Sequence, residues 1–259
     1  MNLQYKGISV FYTDAGQGKP LVLLHGFLEN STMWKPFISK LSKHNRVICI
    51  DLLGHGKTDC LGYNHTMELM AETVKVVLNH LKIKQSIFIG HSMGGYVALA
   101  FAEKNPKQVI GLCLMNSTTK PDSAERKKNR DRAISAVKHN HKSFVRIAIV
   151  NLFRPKNRRI FSKQIKAIKQ DALNMPVQGI IAALEGMKIR KDREQVFKKG
   201  HFKKLMMISK KDPVLDYESL VKQTQNSDIE IVEFPDGHMS HIENKSLFLH
   251  NLLHFVENF

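Results

Sequence analysis

Short apolar runs alternate along the chain with longer stretches of helical periodicity. The runs are rich in Val, Ile, Leu and Met, are bounded by turn residues, and cover positions 21–24, 47–50, 87–89, 109–115, 205–208 and 229–234. Runs this short with little polar alternation are typical of strands buried on both faces of a parallel sheet. Ahead of them, residues 3–20 alternate around Lys6-Gly7, which predicts a β-hairpin.

Helical patterns fill most of the intervals between these runs. Before residue 119 and after residue 199 they cover residues 33–41, 66–81, 94–104, 217–225 and 245–258. Alternation of strands and helices predicts right-handed crossovers. We therefore expect an α/β fold whose mostly parallel central sheet is flanked by helices.

The middle of the chain shows no strand pattern. Between residues 119 and 199, the apolar spacing predicts helices at 123–138, 142–153, 157–173 and 177–187. Pro155 and Pro176 suit helix starts, where a missing N–H costs nothing. We expect a core formed by residues 1–118 and 200–259, with residues 119–199 as a helical cap inserted after the sixth strand.

Positive charge is concentrated in the same middle segment. The formal net charge is +17, and 22 Lys and Arg against 7 Asp and Glu between residues 120 and 199 account for +15 of it. Such a field attracts anionic partners, although a run of charges is more often a solvated helix face. No nucleic-acid motif accompanies the charges, so we expect no specific nucleic-acid binding. A solubilising surface and guidance of an acidic substrate or acyl carrier both stay open. The most crowded positions are Arg126, Lys127, Lys128, Arg130 and Arg132.

The remaining composition favours a cytoplasmic protein without a metal or cofactor. No apolar run approaches the ~20 residues of a membrane helix, and the first residues lack the apolar region of a signal peptide. The cysteines are few, and none has the spacing of a zinc site: Cys49, Cys60 and Cys113.

The most informative short motif is Gly90-His91-Ser92-Met93-Gly94, which fits G-x-S-x-G. A predicted strand precedes it and a predicted helix follows it, which is the context that a nucleophile on a sharp turn requires. Small residues two before and two after the serine keep such a turn free of collisions. The alternative is a serine that only caps the following helix.

Together with this motif, the chain resembles the α/β-hydrolase family, in its capped serine-hydrolase form, over nearly its full length. Leu23-Leu24-His25-Gly26-Phe27 is similar to the segment that supplies half of an oxyanion hole in that family. Residues 51–59, DLLGHGKTD, resemble its D-x-x-G-x-G-x-S/T loop. The resemblance implies a nucleophile at Ser92, then an acid, then a histidine in chain order.

Under this resemblance, Asp212 is the acid and His238 is the base, since each follows a predicted strand after the insert. Asp216 is an alternative acid or a helix N-cap, and Asp236 is a turn residue. His241 is an alternative base, but Gly237 and the spacing to Glu243 favour His238. His25, His55 and His91 are expected to stabilise loops or pack.

The same resemblance places the oxyanion hole at the backbone N–H groups of Phe27 and Met93. The side chains of Phe27 and Leu28 are candidates for lining the acyl pocket. We expect a cofactor-free serine hydrolase that cleaves a carboxylic ester of a small-molecule acyl substrate. Alternatives are an acyl thioesterase, haloperoxidase-like, carbon–carbon hydrolase or lyase chemistry, or a non-enzymatic binding protein. The oligomeric state stays open.

Overall fold

A computed structural model describes all residues, 1–259. Its centre is one eight-stranded sheet with the strand order β1-β2-β4-β3-β5-β6-β7-β8. The first two strands are antiparallel to their neighbours and the other pairs are parallel. This confirms the predicted mostly parallel sheet. The strands are β1 (Asn2–Tyr5), β2 (Ile8–Ala15), β3 (Lys19–Leu24), β4 (Asn45–Ile50), β5 (Ser86–His91), β6 (Val109–Met115), β7 (Lys203–Ser209) and β8 (Glu230–Phe234).

Ten α-helices connect and cover the strands. Most lie within a few residues of the predicted spans, and Thr66 caps α2 through a hydrogen bond from Leu69 N. Two short helices, α7 and α9, carry too few apolar residues to show a period. The helices are α1 (Lys35–Leu41), α2 (Met67–His80), α3 (Met93–Lys104), α4 (Ala124–Val150), α5 (Ser162–Leu173), α6 (Val177–Lys188), α7 (Glu194–Lys199), α8 (Tyr217–Thr224), α9 (Ser240–Glu243) and α10 (Lys245–Glu257).

One helix prediction was wrong at its start. The span 157–173 was predicted as a single helix, but α5 begins only at Ser162, after a 3-10 turn at Pro155–Asn157. The Asn157 amide donates to Glu243 Oε1 at 2.9 Å, which ties this turn to the core. The two helices predicted over 123–153 form α4, which has a non-helical residue at Asn140 (φ −156°, ψ 86°).

The two faces of the sheet carry separate apolar clusters. On one face, α1 and α10 pack through residues such as Phe37 and Phe248, whose rings are 5.1 Å apart. The other face is covered by α2 and α3, and its cluster continues into α4, α5 and α6. The segment between β6 and β7, which we call the insert (residues 119–199), therefore extends the core of one face.

Close backbone contacts join the insert to the core along α6. A Cβ at Gly179 would lie 2.9 Å from Gly54 Cα, and one at Gly186 would overlap the carbonyl oxygen of His65. These two glycines are seven residues apart, so they lie on one face of the helix. None of the ten helices is both long and apolar enough to cross a membrane.

Candidate active site

Ser92 occupies a strained turn between β5 and α3. Its backbone angles are φ 48° and ψ −112°, a region that costs a non-glycine residue of the order of 1–3 kcal/mol. The turn is held because Ser92 N donates to Met115 O at 2.9 Å and Ser117 Oγ donates to Ser92 O at 2.7 Å. The Ser92 side chain caps no helix N–H, so the alternative of a simple N-cap is wrong.

The small residues around Ser92 are required by close contacts. A Cβ at Gly90 would lie 2.5 Å from Gly94 O, well inside van der Waals contact. A Cβ at Gly94 would overlap the carbonyl oxygen of Leu24. The predicted need for glycine at both positions is confirmed, and the turn presents Ser92 at the carboxyl edge of the sheet.

Asp212 and His238 form a buried pair at the same edge. Asp212 follows β7 and His238 follows β8, and His238 Nδ1 lies 2.8 Å from Asp212 Oδ2. The other carboxylate oxygen accepts from Val214 N at 2.7 Å and from Leu215 N at 3.0 Å. These bonds fix the carboxylate, which in turn fixes the orientation of the imidazole.

Asn116 connects the loops that carry this pair. Its amide nitrogen donates to Asp212 Oδ2 at 3.1 Å and to Ser209 Oγ at 2.8 Å, and its oxygen accepts from Ser240 Oγ at 2.6 Å. Burial raises the pKa of Asp212, but the charge and hydrogen bond of His238, with those from Val214 N and Asn116, outweigh burial and lower it. Asp212 is therefore ionised at neutral pH.

A cavity of about 130 Å³ contains both Ser92 and His238. Phe27 and Leu28 also line it, at the positions predicted for substrate contacts. No hydrogen bond joins Ser92 to His238, and contacts of this kind often tighten only when substrate binds. The side chains that complete the wall are Glu29, His91, Tyr96, Arg126, Arg130, Ala148, Leu152, Met187 and Val214.

Two backbone N–H groups beside the cavity have no hydrogen-bond partner in a neighbouring strand. The Phe27 N–H donates to no protein atom. Met93 is the first residue of α3, so its N–H has no acceptor inside that helix. Leu28 has φ 63°, a left-handed turn that follows directly after Phe27.

Comparison with known proteins agrees with the fold. A sequence profile of the alpha/beta hydrolase fold matches residues 19–245 of the chain. The chain belongs to the α/β-hydrolase family. A thermophilic esterase from Thermogutta terrifontis superposes with a TM-score of 0.89 at 29% identity, covering 99% of this chain and 96% of the esterase.

Curated relatives of this α/β-hydrolase match over a shorter span. Epoxide hydrolase 4 of Homo sapiens is 32% identical over 120 residues, 45% of this chain and 33% of the human protein. The (E)-2-((N-methylformamido)methylene)succinate hydrolase of Acinetobacter baylyi is 30% identical over 130 residues, 50% of this chain and 49% of that enzyme. The matched part thus spans less than half of either relative.

The residues weighed against Asp212 and His238 have other contacts. Asp216 caps α8 by accepting from Ser219 N at 2.8 Å, and Asp236 accepts from Arg154 Nη1 at 2.9 Å. His241 is buried, and its Nε2 lies 3.9 Å from Glu29 Oε1. It does not line the cavity that contains Ser92. His25 accepts from Leu52 N at 2.9 Å, in a loop-stabilising contact of the predicted kind.

Glu29 is a buried residue of the site that sequence reasoning missed. Its Oε2 accepts from Gly26 N at 2.9 Å and lies 2.6 Å from His91 Nδ1, while His91 Nε2 lies 3.2 Å from the carbonyl oxygen of His238. Burial raises the pKa of Glu29, but the charge and hydrogen bond of His91, together with the charges of His241 and His25, outweigh burial and lower that pKa to about 2. Burial lowers the pKa of His91, but the charge and hydrogen bond of Glu29, together with the His238 carbonyl and the charge of Asp212, outweigh burial and raise that pKa above its ordinary value. This ion pair links the loop of Phe27 to the loop of His238.

A larger cavity of about 400 Å³ adjoins the first and shares Leu28 and Glu29 with it. It contains neither Ser92 nor His238, so it holds none of the predicted catalytic groups. No group of three His, Cys, Asp or Glu side chains is close enough to hold a metal ion.

Proposed function

We propose that this protein is a serine hydrolase that cleaves a carboxylic ester through an acyl-enzyme on Ser92. The observation that carries the proposal is the buried Asp212–His238 pair in a cavity that His238 shares with Ser92. A serine hydroxyl needs a base, and the base needs an orienting acid. The likeness to a thermophilic esterase over almost the whole of both chains supports the same reading.

In the proposed reaction, Ser92 Oγ attacks the acyl carbon while its proton moves to His238 Nε2. Phe27 N–H and Met93 N–H donate to the developing oxyanion, and the carboxylate of Asp212 stabilises the imidazolium. His238 then returns the proton to the leaving alkoxide as the ester C–O bond breaks. A water molecule attacks the acyl-enzyme by the reverse roles and releases the acid. The triad needs no cofactor for these steps.

The insert acts as a cap in this proposal. Ala148 of α4, Leu152 just after that helix and Met187 of α6 line the cavity that contains Ser92, so core and insert enclose the substrate together. Exclusion of water strengthens the oxyanion contacts, because charges interact more strongly in a low dielectric. We assign residues 1–118 and 200–259 to the catalytic core and residues 119–199 to the cap.

A fluorophosphonate probe tests the nucleophile directly. Wild-type protein is expected to label stoichiometrically, Ser92→Ala not at all, and His238→Ala only slowly. Ser86→Ala is the matched control, since Ser86 is a serine at the start of the strand that ends just before Ser92 and lies outside the cavity. Absence of labelling in folded wild-type protein contradicts the proposal.

A substrate panel then separates the ester from its alternatives. p-Nitrophenyl esters of increasing acyl length measure the size of the acyl pocket, and acyl-coenzyme A thioesters measure the preference for oxygen over sulfur. Faster turnover of the thioesters would replace the ester in the proposal with a thioester. Labelling without turnover of any substrate would favour a binding protein on this scaffold.

A further inference from the structure

Two arginines of the insert line the cavity that contains Ser92. Arg126 and Arg130 are four residues apart on α4, so they lie on the same face of that helix, one turn from each other. Both are partly buried, whereas Lys127, Lys128 and Arg132 on the same helix are exposed. The basic run of α4 therefore divides into a solvated face and a cavity face.

Asp122 fixes the two cavity arginines in place. The Nε of Arg126 donates to Asp122 Oδ1 at 3.2 Å, and the Nε of Arg130 donates to Asp122 Oδ2 at 3.0 Å. A third arginine, Arg190, donates to Asp122 Oδ1 at 2.6 Å and stacks on the ring of Tyr96 at 4.2 Å. One carboxylate thus serves three guanidinium groups, which leaves an excess of positive charge at the cavity.

The other charges of the cavity do not cancel this excess. Its remaining acidic group is Glu29, and Glu29 is paired with His91. Asp212 lies behind His238 and is paired with it. The cavity wall therefore offers positive charge without a free carboxylate to match it.

Donors are available as well as charge. Arg130 uses only its Nε in the protein, so its two terminal nitrogens have no protein acceptor. Arg126 also donates from Nη1 to Val214 O at 2.9 Å, and its Nη2 has no partner. A side cavity of about 270 Å³, which shares Phe27, Arg126, Arg130 and Val214 with the first, extends the space beside these donors.

From these contacts we propose that Arg126 and Arg130 bind an oxyanion of the substrate, so that the preferred esters carry a carboxylate or phosphate group. This inference rests on the proposed function of Ser92. Arg130 keeps both terminal nitrogens and Arg126 keeps Nη2 for an acid group, and arginine forms its strongest hydrogen bonds with carboxylates and phosphates. The scissile ester then lies between this anion and Ser92.

A matched pair of substrates tests the assignment. The mono-p-nitrophenyl ester of adipic acid ends in a carboxylate, and p-nitrophenyl hexanoate is its neutral counterpart. In Arg126→Gln/Arg130→Gln, kcat/KM for the acidic ester is expected to fall roughly ten- to a hundredfold, the loss of one or two charge-assisted hydrogen bonds. The change is expected mainly in KM, and kcat/KM for the neutral ester should fall by a much smaller factor.

The control variant is Lys127→Gln/Lys128→Gln, which removes the same charge from the exposed face of α4. This variant should leave kcat/KM unchanged for both esters. If kcat/KM for the acidic ester fell as much in the lysine variant as in the arginine variant, the effect would come from long-range charge, and the inference would be overturned. An equal fall of kcat/KM for both esters in the arginine variant would show that the arginines have a structural role, and this result would also overturn the inference. Arg130→Gln alone, which leaves Arg126 and Arg190 on Asp122, gives the same readout if the double variant unfolds.

An analogue of the acidic ester that ends in a phosphonate distinguishes a carboxylate from a phosphate. The acid whose kcat/KM falls more in the arginine variant is assigned as the natural group. Failure of the proposed function would look different. In that case wild-type protein would hydrolyse neither ester and Ser92 would not label. Selective loss of activity on the acidic ester in the arginine variant, without such a loss in the lysine variant, supports the inference in a protein that labels and is active.

Discussion

The two walls of the cavity are built in different ways. On the core wall, Ser92 and His238 lie on short loops after strands, and four hydrogen bonds from the protein fix Asp212. On the insert wall, Arg126 and Arg130 lie on a helix and share one carboxylate, that of Asp122. In the two proposals made above, the bond-breaking groups are held by the sheet, and the groups that select the substrate are held by the insert. The two can vary independently.

The sharpest test of this division replaces the acid of the core wall. Asp212→Asn removes the charge that orients His238 and is expected to lower kcat roughly 10⁴-fold. Asp216→Asn is the control, because asparagine also caps helices and Asp216 only caps α8. Esterase kinetics on both variants measure the difference. Equal loss in the two variants would contradict the assignment of Asp212.

The corresponding change in the insert wall should act on stability. Asp122→Asn leaves three arginines without their carboxylate, and breaking a buried ion pair in this way costs roughly 3–5 kcal/mol. Asp131→Asn, on the α4 helix that follows Asp122, breaks only the pair of the exposed Asp131 with Lys188, for which about 0–1 kcal/mol is expected. Urea denaturation gives both values. Similar values for the two variants would show that Asp122 does not organise the insert.

Acid should lower the free energy of unfolding through two buried histidines of the core. Burial lowers the pKa of both His55 and His241 to about 3, so both stay neutral in the folded core. In the unfolded chain they take up protons below their ordinary pKa of about 6.5. The free energy of unfolding should therefore fall between about pH 6.5 and about pH 3, by about 1.4 kcal/mol per pH unit for each histidine.

Denaturation at several pH values measures how steeply the free energy of unfolding falls with pH. His241→Gln should reduce this slope by the contribution of His241. The insert offers a comparison, because its His139 is exposed. His139→Gln should leave the slope unchanged. A slope that is the same in wild type and His241→Gln would contradict the buried neutral state.

The core wall could be predicted from the sequence because each of its groups follows an apolar run. The resemblance orders Ser92, Asp212 and His238 along the chain, and the structure places them at the carboxyl ends of β5, β7 and β8. Parallel strands bring such ends together whatever the length of the connections. The strands themselves were predictable for the same reason, since buried strands have little polar alternation.

The supporting residues could not be predicted, because their partners are distant in the chain. Glu29 is 62 residues from His91, and Asn116 is 96 residues from Asp212. No local spacing marks either contact. The two faces of α4 could not be predicted either. Charged residues lie on all sides of this helix, so no apolar stripe indicates which side is covered. Only the packing of α4 over the cavity separates Arg126 from Lys127.

The glycine contacts of α6 have a mechanical consequence. Gly179 and Gly186 hold this helix backbone to backbone against residues 54 and 65 of the core, where a side chain on either glycine would collide. The helix therefore serves as a fixed mount for the rest of the insert. Arg190, two residues after this helix, shares the carboxylate of Asp122 with Arg126 and Arg130. The close backbone contacts of α6 therefore also set where the two cavity arginines lie relative to the core.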